Sequence, residues 1–323
     1  MENNWYPLRF TPILKEKIWG GHQLRDLLNK SDEDLPFGES WEVAGLPDDQ
    51  SVVLHGALKG ETLGGLCTAF AKALLGSKVA AQFGTTFPLL IKFIDAASDL
   101  SVQLHPNDDI AQREHNCFGK TEMWYIMHAE PGAHIIVGFN KAMTAQGFAA
   151  SIDDATITDD LAYIPVKAGD AFFIDAGVIH AIGAGVVLAE IQQTSDVTYR
   201  VYDYGRMQTN GTLRDLHIEA AKKAIDYSPD KVYVLDYDQN AKGVQVLKHS
   251  NYFKTDLVLL DAHGHRVDRT DSFTIVIAVS GAITVACDGA IEVLATGQTT
   301  LIPAACKVVL VSGEGATFLE VYL

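Results

Sequence analysis

A chain of 323 residues, 48% of them hydrophobic and 20% charged, is long enough for one large folded domain or two and too apolar to be disordered. Its 41 acidic against 25 basic residues give a net charge of −16, which argues against nucleic-acid or anionic-membrane partners but leaves room for an anionic small molecule in a locally basic cleft. No apolar run approaches the roughly 20 residues that span a bilayer. The start, Met1 to Pro7, lacks the basic region and apolar core of a signal peptide. Cys67, Cys117, Cys287 and Cys306 form no CxxC pair, so the expectation is a cytoplasmic protein with free thiols.

Residues 1–60 read as short irregular strands and turns, among them Ile18-Trp19-Gly20-Gly21, Glu39-Ser40-Trp41-Glu42-Val43 and Ser51-Val52-Val53-Leu54. Over 61–82, Leu63, Leu66, Phe70, Ala73, Leu74 and Val79 approach helical spacing, which predicts one or two short amphipathic helices. From 86 onward strands dominate. The apolar run Phe87 to Asp95 leads into Leu100-Ser101-Val102-Gln103-Leu104-His105-Pro106, where a strand puts Ser101, Gln103 and His105 on one face. Pro106, with no N–H to donate, ends that ladder.

Glu122 to Met127 and Ala133 to Val137 flank the turn Glu130-Pro131-Gly132, a predicted hairpin. Residues 141–160 and 212–226 have helical patterns, with short strands from Ala162 to Ile191 between them. After Tyr227-Ser228-Pro229-Asp230 the pattern is strand-like to the end, which places a domain boundary near 235. The whole is mainly β with helical insertions, and that favours barrels or sandwiches over a parallel α/β sheet.

An internal repeat supports two related β units. Gly169 to His180 lies on Gly297 to Val308 without a gap, and upstream Glu122 to Ala133 lies on Asp271 to Ala282. The first copy carries polar groups at its key positions, while in the second the histidine has become Val308. His263 and His265 are read as surface histidines, because Val308 offers them no partner ligand.

The candidate ligands are Gln103, His105, Glu122 and His180. Their long spacing excludes a local metal knuckle and needs a fold that brings separate strands together. Two imidazoles and a carboxylate suit a borderline divalent ion such as zinc, with positions left open, and an amide oxygen is a weaker fourth ligand. Read singly, each histidine is also an ordinary hydrogen-bonded group, and Glu122 a strand-edge charge beside Lys120.

The segment Pro165 to Ile182 resembles the second metal motif of the cupin superfamily. Together with Ile18-Trp19-Gly20-Gly21, Gln103-x-His105-Pro106, Lys120-Thr121-Glu122-Met123-Trp124-Tyr125 and Gln193 to Asp203, it resembles type I mannose-6-phosphate isomerase in its short bacterial form, over nearly the whole chain. The resemblance implies two cupin-type β-barrels (double-stranded β-helix, or jelly roll), the first with short helical insertions. Residues 1–235 would form the catalytic domain and 236–323 a metal-free, cupin-like C-terminal barrel.

The same resemblance implies one Zn²⁺ per chain on His105, Glu122 and His180. Gln103 matches a fourth ligand of longer members, and Arg200 the family's active-site arginine. Those longer members also carry a larger helical domain, whose phosphate contacts do not transfer to this chain. The implied partner is a small-molecule sugar phosphate, bound by a monomer or small homo-oligomer, without nucleic acid or membrane.

The implied reaction interconverts mannose 6-phosphate and fructose 6-phosphate through an enediol or enediolate. Lys120, on the face of Glu122, is a candidate base, and metal-bound hydroxide is another. Arg200 suits stabilising an oxyanion or gripping phosphate, or else a salt bridge to Asp196 or Asp203. Lys92, charged in an apolar run, either points into the cleft towards phosphate or faces outward. Ser101 either donates to the substrate or decorates the interior. Trp19, Trp41 and Trp124 are read as core packing rather than as a sugar-site lining. The rival readings are a cupin metalloenzyme of another class, a non-haem iron oxygenase, a non-catalytic sugar-phosphate-binding cupin, and a metal-free structural barrel.

Overall fold

The computed structural model describes residues 5–208, 211–228 and 231–323 and is mainly β. Eleven of its longer strands are β1 (Ile13–Gly21), β2 (Phe37–Val43), β3 (Leu89–Ala96), β4 (Val102–Leu104), β5 (Glu122–Ala129), β6 (His134–Phe139), β7 (Leu161–Pro165), β8 (Ala171–Ile174), β9 (His180–Ile182), β10 (Val186–Gln193) and β11 (Tyr199–Tyr202). They form a six-stranded sheet in the order β8-β5-β10-β3-β2-β1 and a five-stranded sheet in the order β7-β6-β9-β4-β11. All of their pairings are antiparallel.

Strand periodicity decides what each face buries. β3 and β10 pair residue for residue, Lys92 opposite Glu190 and Phe93 opposite Ala189. Lys92, Ile94, Leu188 and Glu190 therefore point between the two sheets, while Ile91, Phe93, Ala189 and Ile191 point away. Between the sheets, Trp19, Ile94, Ile126, Val137, Phe172, Ile182 and Leu188 form an apolar core at one end. The polar partners fill the other end.

The remaining strands are β12 (Gly243–His249), β13 (Lys254–Leu259), β14 (His265–Val267), β15 (Thr274–Ser280), β16 (Ile283–Cys287), β17 (Ala290–Leu294), β18 (Thr299–Ile302), β19 (Val309–Ser312) and β20 (Thr317–Tyr322). Their sheets run β12-β13-β20-β15-β18 and β14-β19-β16-β17. This repeats most of the first pair strand for strand. Among the described residues no ladder closes either pair of sheets into a ring, so the expected barrels are here two-layer sandwiches.

The register corrects the repeat upstream of its hairpin. Glu122 pairs with Ile174 as Thr274 pairs with Ile302, so Thr274, and not Asp271, takes the place of Glu122. Val308 is exposed, and it is its neighbour Val309 that enters the core.

The two sandwiches pack back to back. Ile91, Phe93, Met123 and Ile191 from the first share one core with Leu257, Ile275, Ile277, Leu319 and Val321 from the second. The N-terminal segment also crosses over. Leu8 exchanges backbone hydrogen bonds of 2.7 and 2.9 Å with Leu301.

Helices α1 (Leu63–Leu75) and α2 (Ser77–Phe83) lie where the spacing predicts them. Thr62 caps α1 by accepting from the Gly65 N–H. Gly76 joins the two helices at φ +89°, and a Cβ there would stand 2.3 Å from the Asp271 backbone, so only glycine fits. Helix α3 (Asp108–His115) follows Pro106 and is capped by Asn107, whose Oδ1 accepts from the Ile110 N–H.

Helices α4 (Ala145–Asp153) and α5 (Ile218–Ala224) cover the outer face of the five-stranded sheet. There Phe148, Ala221 and Ile225 pack on Val102, Leu104, Ile136 and Val201. The helix expected over 212–226 is thus shorter, because Asp215 and His217 are used to bind Arg200. No helix among the described residues is long and apolar enough to cross a membrane.

Candidate metal centre and its cavity

Val102 and Leu104 of β4 face the outer core, which turns Gln103 inward and leaves Ser101 and His105 at its ends. His105 Nδ1 lies 2.8 Å from the Val197 carbonyl and His180 Nδ1 lies 2.9 Å from the Val178 carbonyl. A carbonyl only accepts, so each Nδ1 carries the proton and each Nε2 is left bare. Glu122, the first residue of β5, is fully buried opposite them. Its Oε2 is 3.5 Å from His105 Nε2 and its Oε1 is 3.4 Å from His180 Nε2.

This geometry suits a divalent cation. The ligand atoms of His105, Glu122 and His180 lie within 4.8 Å of one another. Glu122 Oε1 and His180 Nε2 are buried without a hydrogen-bond partner, an arrangement that costs free energy unless something electropositive satisfies both. Burial, helped by the Lys120 ammonium, lowers His105 well below its ordinary value and His180 to about 4. Both imidazoles are therefore neutral at pH 7, the form that binds a metal.

Lys120 approaches the same group. Its Nζ donates to Glu122 Oε2 at 2.7 Å and stands 3.0 Å from His105 Nε2 and 3.7 Å from Glu190 Oε1. Lys92 is buried 3.7 Å from Glu39, 3.8 Å from Glu190 and 3.8 Å from Asp196, and 4.5 Å above the Trp41 ring. These separations exceed hydrogen-bond length, so the ammonium keeps donors for a ligand. Burial alone would lower Lys92, but the carboxylates outweigh it and hold the ammonium above its usual value. In the same way Lys92 and Lys17 overcome burial and hold Glu39 at about 2. Glu190 goes the opposite way, because burial raises its carboxyl although Lys120 opposes the shift.

Arg200, on β11, donates from Nε to Ser101 Oγ at 3.2 Å and from Nη1 to the Asp215 carbonyl at 2.9 Å. Its backbone N–H donates to His217 Nδ1 at 3.1 Å, and its carbonyl accepts from the His217 N–H at 2.7 Å. The two acids weighed as its salt-bridge partners are engaged elsewhere. Asp203 is held by Arg206 and Arg214, and Asp196 faces Lys92. Gln103 lies opposite both His180 and Arg200 in the ladders, and its Oε1 accepts from Ser101 Oγ at 3.2 Å.

These side chains line one cavity of ≈ 310 Å³. Ser101, Gln103, Lys92, Lys120, His180 and Arg200 are all on its wall, and His105 and Glu122 lie directly behind Lys120. Trp19 and Trp124 also line it, so they serve both the core and the cavity, whereas Trp41 is buried beneath Lys92.

Sequence reasoning missed Glu39, Glu190 and Arg214. Glu190 carried a usable signal. Like Lys92, it is a lone charge in an apolar strand, and two such charges of opposite sign suggest partners across a ladder. Arg214 carried none, because a turn brings it to the cavity.

Comparison with known proteins bears on this site. The sequence model for the phosphomannose isomerase type I catalytic domain matches residues 8–120. The mannose-6-phosphate isomerase ManA of Bacillus subtilis (strain 168) is 42% identical over 221 residues, 68% of this chain and 68% of that one. The mannose-6-phosphate isomerase of Streptococcus mutans is 40% identical over 216 residues, 66% of each chain. A crystal structure of mannose 6-phosphate isomerase from Bacillus subtilis superposes with a TM-score of 0.89 at 30% identity, covering 98% of this chain and 99% of that one.

Proposed function

The chain belongs to the type I phosphomannose isomerase family, and we propose that its cavity interconverts mannose 6-phosphate and fructose 6-phosphate with one catalytic Zn²⁺ on His105, Glu122 and His180. The observation that carries this reading is the convergence of the ligand atoms of those three residues, with Glu122 Oε1 and His180 Nε2 buried and unpartnered, beside Lys120 and in one cavity with Arg200. Gln103 is the fourth ligand, its amide oxygen supplied from the strand that also leads to His105. When bound, the ion supplies Lewis-acid polarisation.

The chain's own residues do the rest. The reaction moves a proton from C2 to C1 of the sugar while another moves from O2 to O1, through an enediol(ate). Lys120 and Glu190 are 3.7 Å apart on the cavity wall and form the proton-handling pair. The raised carboxyl of Glu190 brings its proton exchange nearer to neutral pH, as general acid–base work requires. Arg200 grips the phosphate or the developing oxyanion, with Ser101 beside it and Lys92 contributing donors from the opposite strand. Arg214 adds a second guanidinium at that end.

Each pair of sheets is a cupin-type jelly roll, with 1–235 as the catalytic domain and 236–323 as a partner that lacks the His/Glu/His centre. In the second interior, Asp256 and Glu320 face each other across a ladder as Lys92 and Glu190 do in the first. Arg269 contacts both carboxylates, and His265 Nε2 lies 2.8 Å from Glu320, so a guanidinium supplies the positive charge there. His265 is consequently no surface histidine. Four free thiols suit a reducing compartment, and we place the enzyme in the cytoplasm.

A coupled assay for fructose 6-phosphate formed from mannose 6-phosphate tests the proposal. Turnover is the expected result. A folded, zinc-loaded protein that binds mannose 6-phosphate without converting it would leave the binding-protein reading, and iron with oxygen uptake would favour the oxygenase.

A further inference from the structure

The second sandwich holds a donor group that the isomerase chemistry does not use. Cys287 ends β16, Asp288 follows it, and Cys306 lies in the turn before β19. The ligand atoms of these three residues lie within 4.8 Å of one another. Both cysteines are buried and unbridged. Cys287 Sγ is 3.9 Å from Asp288 Oδ2.

Asp288 is exposed and adopts a left-handed φ of 48°. In that conformation its carboxylate accepts from the Lys307 N–H at 3.0 Å and the Val308 N–H at 3.3 Å. The carboxylate is thereby fixed over the turn that carries Cys306, and each oxygen keeps a lone pair for a further partner. A single buried cysteine is most simply a small hydrophobe. Two facing sulfurs with a carboxylate at their solvent edge form a mixed sulfur–oxygen donor set, of the kind that selects soft or borderline ions.

We propose that Cys287, Cys306 and Asp288 form a second metal site, thiolate-rich and distinct from the His/Glu/His centre, for Zn²⁺ or a softer ion such as Cd²⁺. Binding converts both S–H groups to thiolates, releases their two protons to solvent and leaves one side of the ion to water. The ion ties the end of β16 to the 303–308 turn. That turn docks on the first sandwich, where the Ala304 and Ala305 N–H groups donate to the Leu74 and Ala73 carbonyls of α1 at 3.1 and 2.9 Å. The site therefore acts on the contact between the two sandwiches, and turnover at the cavity does not depend on it.

The test is a Cd²⁺ titration of the full reduced chain, followed by ultraviolet thiolate-to-metal charge transfer. His105, Glu122 and His180 contain no sulfur, so binding at the first centre is silent in this band. The band is expected to saturate at one ion per chain and to persist in the Cys67→Ala/Cys117→Ala variant. It is expected to vanish in Cys306→Ser and to need at least tenfold more Cd²⁺ in Asp288→Ala. As a check without substitutions, Cd²⁺ should protect Cys287 and Cys306, mapped by mass spectrometry, from alkylation under partial denaturation. Absence of the band from wild type, its survival in Cys306→Ser, or failure of Cd²⁺ to protect these two thiols overturns the proposal. So does a Cys287–Cys306 disulfide forming in peroxide where reduced protein takes up no ion.

Discussion

Replacing Glu190 by Gln separates the chemistry of the cavity from its stability. The carboxylate lies 3.8 Å from Lys92 and 3.7 Å from Lys120, and it accepts from Trp124 Nε1 at 3.1 Å. At an effective dielectric constant near 20, each ammonium attracts it by about 4 kcal/mol. Taking the carboxylate out of water costs several kcal/mol in return. The near-isosteric amide avoids that cost and keeps an acceptor for the tryptophan. Stability should therefore change by only about 1–2 kcal/mol in denaturant melts.

Glu122, His105 and His180 keep their geometry in this variant, so zinc content should equal that of wild type. Proton handling is lost, and kcat should fall by about 10²- to 10⁴-fold with KM changed only a few-fold. Parallel measurement of kcat, KM, zinc content and melting provides the check. A kcat within twofold of wild type would refute the role, and a loss of activity that tracks loss of zinc would reassign Glu190 to support of the ligands.

Arg200→Ala should abolish measurable turnover while leaving zinc in place, as read by metal analysis; lost zinc would mean that Arg200 has been given the wrong role. Arg269→Met strips the cation from between Asp256 and Glu320, both of them buried. It should cost about 3–5 kcal/mol of stability and leave kcat/KM at 25 °C unchanged. Acid should weaken the chelated protein in a defined window. The unfolded state protonates histidine near pH 6.5, whereas native His180 resists until about 4. Stability is thus fully present above about pH 6.5 and is lost as pH falls towards 4, by about 3 kcal/mol for His180 alone. Urea melts at stepped pH read this directly, and a flat profile across that window would contradict it.

What the sequence reveals and what it hides follow from the range of the interactions. Ser101, Gln103 and His105 alternate with Val102 and Leu104, and period-two geometry is local, so the inward face is readable from a few residues. The helices after Thr62 and the turn at Glu130-Pro131-Gly132 are local for the same reason. Helix α3 escaped notice because Asp108 to His115 is charged on most sides and buries only Ala111, which leaves no apolar stripe to detect. The pairing of Glu190 with Lys92, the contact of His265 with Glu320 and the arrival of Arg214 all depend on ladders or turns joining distant segments. Alignment of the repeat slipped at Glu122 because the second hairpin turn is shorter, a difference that period-two alternation alone does not expose.

The central claim is that His105, Glu122 and His180 hold the ion on which isomerisation depends. The most direct measurement is turnover of mannose 6-phosphate by wild type and Glu122→Gln after exhaustive chelation, and again during stepwise return of Zn²⁺. Wild type should lose activity and regain it as zinc is bound, while Glu122→Gln stays inactive at zinc levels that fully restore wild type. Full turnover by chelated, zinc-free wild type, or restoration of Glu122→Gln to the wild-type rate, would contradict the account.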